Sequence, residues 1–330
     1  ATLGTKVYVA NVTAGSVSII DTTNANTVTT ATVGSSPSSV TVIGTKVYVT
    51  NSGTTTVSVI DTANANSVSS ITVGSTPTGS AAFGTKLYVS NYDDNTVSVI
   101  DTANGNAVTT VPVGSGPSPV VATDTKVYVA NSEGTLSIID PNNGNSVTNV
   151  ALIAFSNPQG IVVLGTKVYV ANTAGSSVSV VDTANGNSVT NVAVGTAPRK
   201  LAVIGYKVYV TNFTGTTVSV IDTTNGNAVT SITVGTSPRS IIAFGNRLLV
   251  TNLSSSNVSI IDTANANAVT NVTTGSAPEN FAFIGNTAYV TNSGANNVSV
   301  INMAAVQATT VNSHSFQVGQ YISIRGATGL

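Results

Sequence analysis

"KVYVTNSGTTTVSVIDTANANSVSSITVGSTP", residues 46–77, returns forty residues later as "KLYVSNYDDNTVSVIDTANGNAVTTVPVGSGP", residues 86–117. Each period holds four short runs rich in Val, Ile, Thr and Tyr, separated by Gly, Pro, Asn and Asp. Such runs predict β-strands, and apolar residues at helical spacing are absent. We label the strands a to d: a follows the Pro, b is "KVYV", c is "VSVI", and d is the Val/Thr run before "VG".

The period persists along the chain. Tyr8, Tyr48, Tyr88, Tyr128, Tyr169, Tyr209 and Tyr289, with Leu249 in the missing place, are each followed three residues later by Asn, at spacings of 40 or 41. Strand c ends at Asp21, Asp61, Asp101, Asp140, Asp182, Asp222 and Asp262, with Asn302 in the last copy. Strands b and c are apolar at consecutive positions, so both faces of their sheet must be covered. Four-stranded sheets stacked around an axis meet that demand, and the length of the unit is that of a propeller blade. The expectation is an all-β chain: a β-propeller of four-stranded antiparallel blades, eight from the count of b and c strands, with seven as the alternative.

"YVTN" at residues 48–51, 209–212 and 289–292, with "VSVIDT" and "VGxxP", resembles the YVTN-repeat β-propeller family. That resemblance implies a surface or secreted protein, as in archaeal surface-layer proteins and bacterial exported proteins, generally without enzymatic activity. The family's longer "SPDGTKVYV" is here shortened to "IGTKVYV" or "FGTKLYV", which tightens the a–b turn.

The propeller is expected over residues 1–304, with 305–330 a separate C-terminal segment. "ATLG" is too short for a full strand a, so the first blade's inner strand is expected from the C-terminus, with residues 315–324 ("SFQVGQYISI") as candidate. The same segment resembles the opening of small β modules in phage tail and virion proteins, which makes the start of a further module the competing reading.

Only 7% of residues are charged, against about 25% in an ordinary soluble domain, and the net charge is −1. No electrostatic footprint for nucleic acid exists, and no apolar run is long enough for a membrane helix. A hydroxyl- and amide-rich surface does not repel copies of itself, which suits self-assembly. Cysteine is absent, so no thiolate site or disulfide is available. Asn-x-Ser/Thr sequons at Asn11, Asn212, Asn252 and Asn257 are compatible with a glycosylated outer surface, although so Thr-rich a chain generates them by chance.

In an antiparallel blade the a–b and c–d turns lie on one side of the disc and the b–c and d–a loops on the other. The c–d turns barely vary, whereas the b–c loops read "VTAGS", "SGTTT", "YDDNT", "SEG", "TAGSS", "FTGTT", "LSSSN" and "SGANN". The b–c/d–a side is therefore the expected partner face, with Tyr92, Asp93, Asp94 and Phe213 as contact candidates. Arg199, Arg239 and Glu279 follow Pro198, Pro238 and Pro278, where other copies have Ser38, Thr78, Ser118 and Gln159. With Lys200 they place charge at the channel mouth, either as an anion or carboxylate site or as an internal Arg–Glu pair. Blade four's d–a connection grows to "VALIAFSNP", whose Leu152 and Phe155 fill a gap or form an apolar knob.

The Asp row faintly resembles a calcium loop but lacks the closing Glu, so Asx-type turns are expected and neither metal nor cofactor. The Lys row (Lys6, Lys46, Lys86, Lys126, Lys167, Lys207) reads as a solvated rim. The single His, His314, lies in the tail, and the two Glu residues are Glu133 and Glu279. No catalytic triad, metal cluster or phosphate loop assembles, so the expectation is not an enzyme. It is instead a structural and interaction module of an extracellular or cell-surface assembly (layer, sheath, filament or adhesin). Its expected partners are other protein subunits or surface glycans, with self-assembly and without nucleic acid or membrane insertion. A virion or tail-fibre component and an anion-binding propeller are the alternatives.

Overall fold

The computed structural model describes residues 1–154, 156–304 and 307–311. It is an eight-bladed β-propeller in which every blade is a four-stranded antiparallel sheet with its strands in sequence order. Blade two is representative: strand a is Pro37–Ile43, b is Lys46–Asn51, c is Thr56–Asp61 and d is Ser67–Thr72. The eight-blade count from the repeated words is what the chain forms.

Strands b and c are buried along almost their whole length, as their continuous apolar runs require. Their side chains form eight clusters, each straddling one boundary between neighbouring blades. One of them joins Val7, Val9 and Ile20 of blade one to Ala282, Tyr289 and Val298 of blade eight. The ring is thus closed by the same apolar packing that joins its consecutive blades. Burying one such side chain stabilises the fold by about 1.5–3 kcal/mol. The repeated Tyr adds a polar link at its far end. Tyr88 donates to Asn145 Oδ1 of the next blade at 2.7 Å, and Tyr48, Tyr128 and Tyr289 bond Thr102, Thr183 and Thr22 in theirs.

Two boundaries differ from the sequence expectation. The inner strand of blade one is Thr2–Leu3, which pairs Thr2 with Val7 and Leu3 with Lys6, so that place is filled by the first residues and not by a C-terminal clasp. Two residues suffice because blade one enters this boundary through Val7 and Val9 of strand b and Ile20 of strand c. Strand d of blade eight is Gln307–Val311, paired with strand c, so the propeller runs past residue 304. Residues 315–324, and with them both readings of that segment, lie outside the described residues.

Candidate functional site

The letters T and N of the repeated word acquire separate physical roles at the end of strand b. In blades two to eight, strand a carries a one-residue bulge just after its Pro. A bulge leaves a backbone N–H outside the ladder, and a buried donor must find a partner. In blades two, three, six, seven and eight the hydroxyl before the Asn supplies it. Thr50 accepts from Ser39 N–H at 2.9 Å and donates to the Thr78 carbonyl of the next blade at 3.0 Å. Ser90, Thr211, Thr251 and Thr291 accept from Gly79, Lys200, Ser240 and Asn280 in the same way. Ala130 replaces the hydroxyl in blade four, where the bulge residue is Pro119 and has no N–H to satisfy.

The Asn is fully buried and ties strand b to strand c. Asn51 Nδ2 donates to Thr56 and Ser58 at 3.0 and 2.9 Å. Ser58 Oγ also lies 3.3 Å from Gly34 N, in the connection arriving from blade one. A Cβ on Gly34 would come within 2.6 Å of the Asn51 side chain, which explains the "VG" word. The same Asn–Ser–Gly lock recurs with Gly74, Gly114, Gly195, Gly235 and Gly275. The sequence displayed all three residue types at fixed spacing, but only their convergence reveals the lock. Asn11, Asn212 and Asn252 are lock residues at most 2% exposed, so these three sequons are closed to glycosylation.

The bulge also re-aims the residue after the Pro toward the mouth of the channel, on the side of the b–c and d–a loops. In blades two and three that residue is Ser38 or Thr78, whose hydroxyls bond carbonyls of the next inner strand. In blades six to eight it is Arg199, Arg239 and Glu279. Arg239 Nη2 lies 3.1 Å from Glu279 Oε2, and Ser293 donates to Glu279 Oε1 at 3.0 Å. Glu279 is only 5% exposed. Burial pushes its carboxyl above the usual range, opposed by Arg239, the Ser293 hydroxyl and the more distant Arg199. The Arg199 guanidinium stacks on Phe213, 4.0 Å from the ring centroid. Lys200 Nζ donates to the Gln159 carbonyl of blade five at 2.8 Å. The structure thus brings Arg199, Lys200, Phe213, Arg239 and Glu279 together as one arc.

The other sequence candidates lie elsewhere. Asp93 and Asp94, themselves exposed, reach back to the d–a connection: Asp94 accepts from Ser75 N–H at 2.7 Å, and Asp93 accepts from the Thr76 hydroxyl. Their carboxylates hold the d–a connection, and Tyr92 beside them is 39% exposed. Leu152 packs against the blade-four and blade-five core, so it fills a gap. Phe155 lies outside the described residues.

On the constant side the Asp row caps turns. Asp61, Asp101, Asp182 and Asp262 accept the N–H two residues on at 3.1–3.2 Å, and Asn302 makes the same bond at 3.0 Å. The positive-φ pair of the turn lies at Ala65–Asn66 or Gly105–Asn106, beyond the residues of the Asx bond. The Asx bond takes up the first three residues. The following four close a type I′ turn in which Asn64 accepts from Ser67 at 2.8 Å. Lys46, Lys167 and Lys207 pair with Asp61, Asp182 and Asp222 at 3.5–4.0 Å, exposed pairs of small energetic value. No group of three or more His, Cys, Asp or Glu that could hold a metal ion occurs among the described residues.

A family model described as outer membrane protein assembly factor BamB matches residues 66–150 and 88–231, together half of the chain. The chain belongs to this family of propeller repeats. No curated protein matches it in sequence. Among solved structures, apo AztD from Citrobacter koseri superposes with a TM-score of 0.72 at 14% identity, covering 94% of this chain and 96% of that one. BamB from Moraxella catarrhalis gives 0.72 at 16% identity, covering 91% and 92%. The dihydro-heme d1 dehydrogenase NirN gives 0.76 at 13% identity, covering 96% and 75%. At these identities the likeness is one of fold. It nevertheless corrects one expectation: a dehydrogenase is built on this ring, so the architecture is compatible with catalysis and the absence of sequence motifs does not exclude an enzyme.

Proposed function

We propose that the chain is an interaction module of an extracellular surface assembly. In this reading it associates with copies of itself through its rim and meets other protein subunits or surface glycans through its b–c/d–a face. The observation that carries the reading is the rim. The eight outermost strands, from Thr27–Thr32 to Gln307–Val311, contain no Asp, Glu, Lys or Arg. Val68, Val108 and Val229 on them are 37–41% exposed. Soluble sheet proteins ordinarily guard open edges with charge, especially Lys, because an unguarded edge pairs with another strand. The YVTN-type words and the charge-poor surface support placement outside the cell.

Sedimentation velocity over a concentration series tests the association. The wild type is expected to form larger species as concentration rises, and a Val68→Lys/Val108→Lys/Val229→Lys variant to remain monomeric with an unchanged fold. A wild type that stays monomeric throughout overturns the assembly reading. Labelling of intact source cells with a membrane-impermeant reagent tests the location, and protection of the protein from that reagent overturns it.

A further inference from the structure

We infer that a groove on the a–b/c–d side, between blades six and seven, is a binding site for a neutral pyranose sugar. The groove has a volume of about 400 Å³, within the size range of small-molecule sites. It lies opposite the face proposed above for partners, and the inference does not rest on that proposal.

Tyr206 lines the groove and departs from the repeat. In "IGYK" it stands where Thr5, Thr45, Thr85, Thr125 and Thr166 stand in the five preceding blades. At 71% exposure it is the most exposed large apolar side chain among the described residues. Thr223 donates its N–H and its hydroxyl to the Tyr206 carbonyl, at 3.1 and 2.7 Å. The backbone is pinned while the ring is left open. Such a ring is a platform for the C–H face of a sugar, since its negative π-face attracts the weakly positive C–H hydrogens.

The floor supplies hydrogen bonds. At other boundaries the Tyr of strand b is tied to the next blade, Tyr88 to Asn145 and Tyr48 to Thr102. Tyr209 has Asn267 and Thr263 in the corresponding places, and all three line the groove. Tyr209 bonds neither of them, and Thr263 gives its proton to the Asn246 carbonyl. Tyr209 is 2% exposed, yet its hydroxyl is not sealed from solvent as the Tyr8 hydroxyl is. It is a donor left open at the groove, and a hydroxyl of a ligand satisfies it.

The charges favour a neutral ligand. Lys207 Nζ and Asp222 Oδ2 face each other across 4.0 Å, so the groove carries no net charge. At that distance they are not hydrogen-bonded, whereas Lys126 bonds Asp140 directly in blade four. Asp222 spends Oδ1 on the N–H and hydroxyl of Thr224, which leaves Oδ2 and the ammonium to be shared with a ligand. Balanced donors and acceptors beside an aromatic platform match a ring with an apolar face and a rim of hydroxyls.

Saturation-transfer NMR and titration with methyl β-glucoside, methyl β-galactoside and methyl β-N-acetylglucosaminide test the inference. At least one is expected to bind, with saturation concentrated on the C–H protons of one ring face. Tyr206→Thr installs the residue of the other blades, so the fold is expected to persist while binding weakens about tenfold or more. Tyr206→Phe keeps the platform and is expected to retain binding. Tyr209→Phe removes only the open hydroxyl, and is expected to weaken binding severalfold without lowering the melting temperature. Absence of binding by all three glycosides overturns the inference. So does unchanged affinity in Tyr206→Thr or in Tyr209→Phe, or phenol binding as tightly as the glycosides. Each readout is independent of the rim, so failure here leaves the assembly reading standing.

Discussion

Ala65 carries a conformation that costs an L-residue about 1–2 kcal/mol, since its φ is 49° in the type I′ turn. Ala25 and Ala266 share it, while blades three to six place Gly there. Ala65→Gly is expected to stabilise the protein by up to about 1 kcal/mol, the relief being partly offset by the greater freedom of Gly in the unfolded chain. Urea denaturation checks it. Asp101→Asn is expected to cost under about 0.5 kcal/mol in the same assay, because Asn302 already makes the bond. At Glu279 the folded-state carboxyl titrates above its ordinary 4.5 because burial outweighs its partners. Its contribution to stability is therefore full below that value and is lost as pH rises through the folded pKa. Glu279→Gln removes the dependence, so the stability of wild type relative to the variant should fall from acid toward neutral pH, as thermal melts at several pH values would read.

The bulge and the lock explain at the level of elements why the repeated word is spelled as it is. Thr251→Val keeps the shape of the side chain but orphans the Ser240 N–H, and is expected to destabilise by about 1–3 kcal/mol in denaturant titration. Ala130→Thr has no such donor to satisfy beside Pro119 and should bring no comparable gain. This pair also marks how far sequence reading reaches. Strand order, blade number and the side of each loop followed from local periodicity, because alternation of strand and turn residues is a near-neighbour property. The fate of Asp93, Asp94 and the lock Asn residues did not. Their partners come from another strand or connection, 5 to 24 residues away in sequence, and one polar letter looks the same whether it faces solvent or a buried donor. The charged arc was visible as a departure from the repeat. That Glu279 belongs to Arg239 while Arg199 lies on Phe213 required the geometry.

Across the whole molecule, stability is distributed over eight equivalent boundaries of apolar packing, and the repeated Asp residues cap turns. Adding a chelator is accordingly expected to leave the melting temperature unchanged, and a fall of many degrees would move the Asp row to metal ligation. The lock has a further consequence. Because Gly34 leaves blade one but completes the polar core of blade two, the unit that folds is out of phase with the unit that is copied. Any forty-residue piece, wherever its ends fall, therefore carries one donor and one acceptor half of the joint. Unequal recombination within the gene can add or delete such a piece without leaving a half-joint unmatched. Copy number is then limited by the angle each sheet subtends in a closed circle, and lineages carrying this gene should vary in whole units and not in fractions.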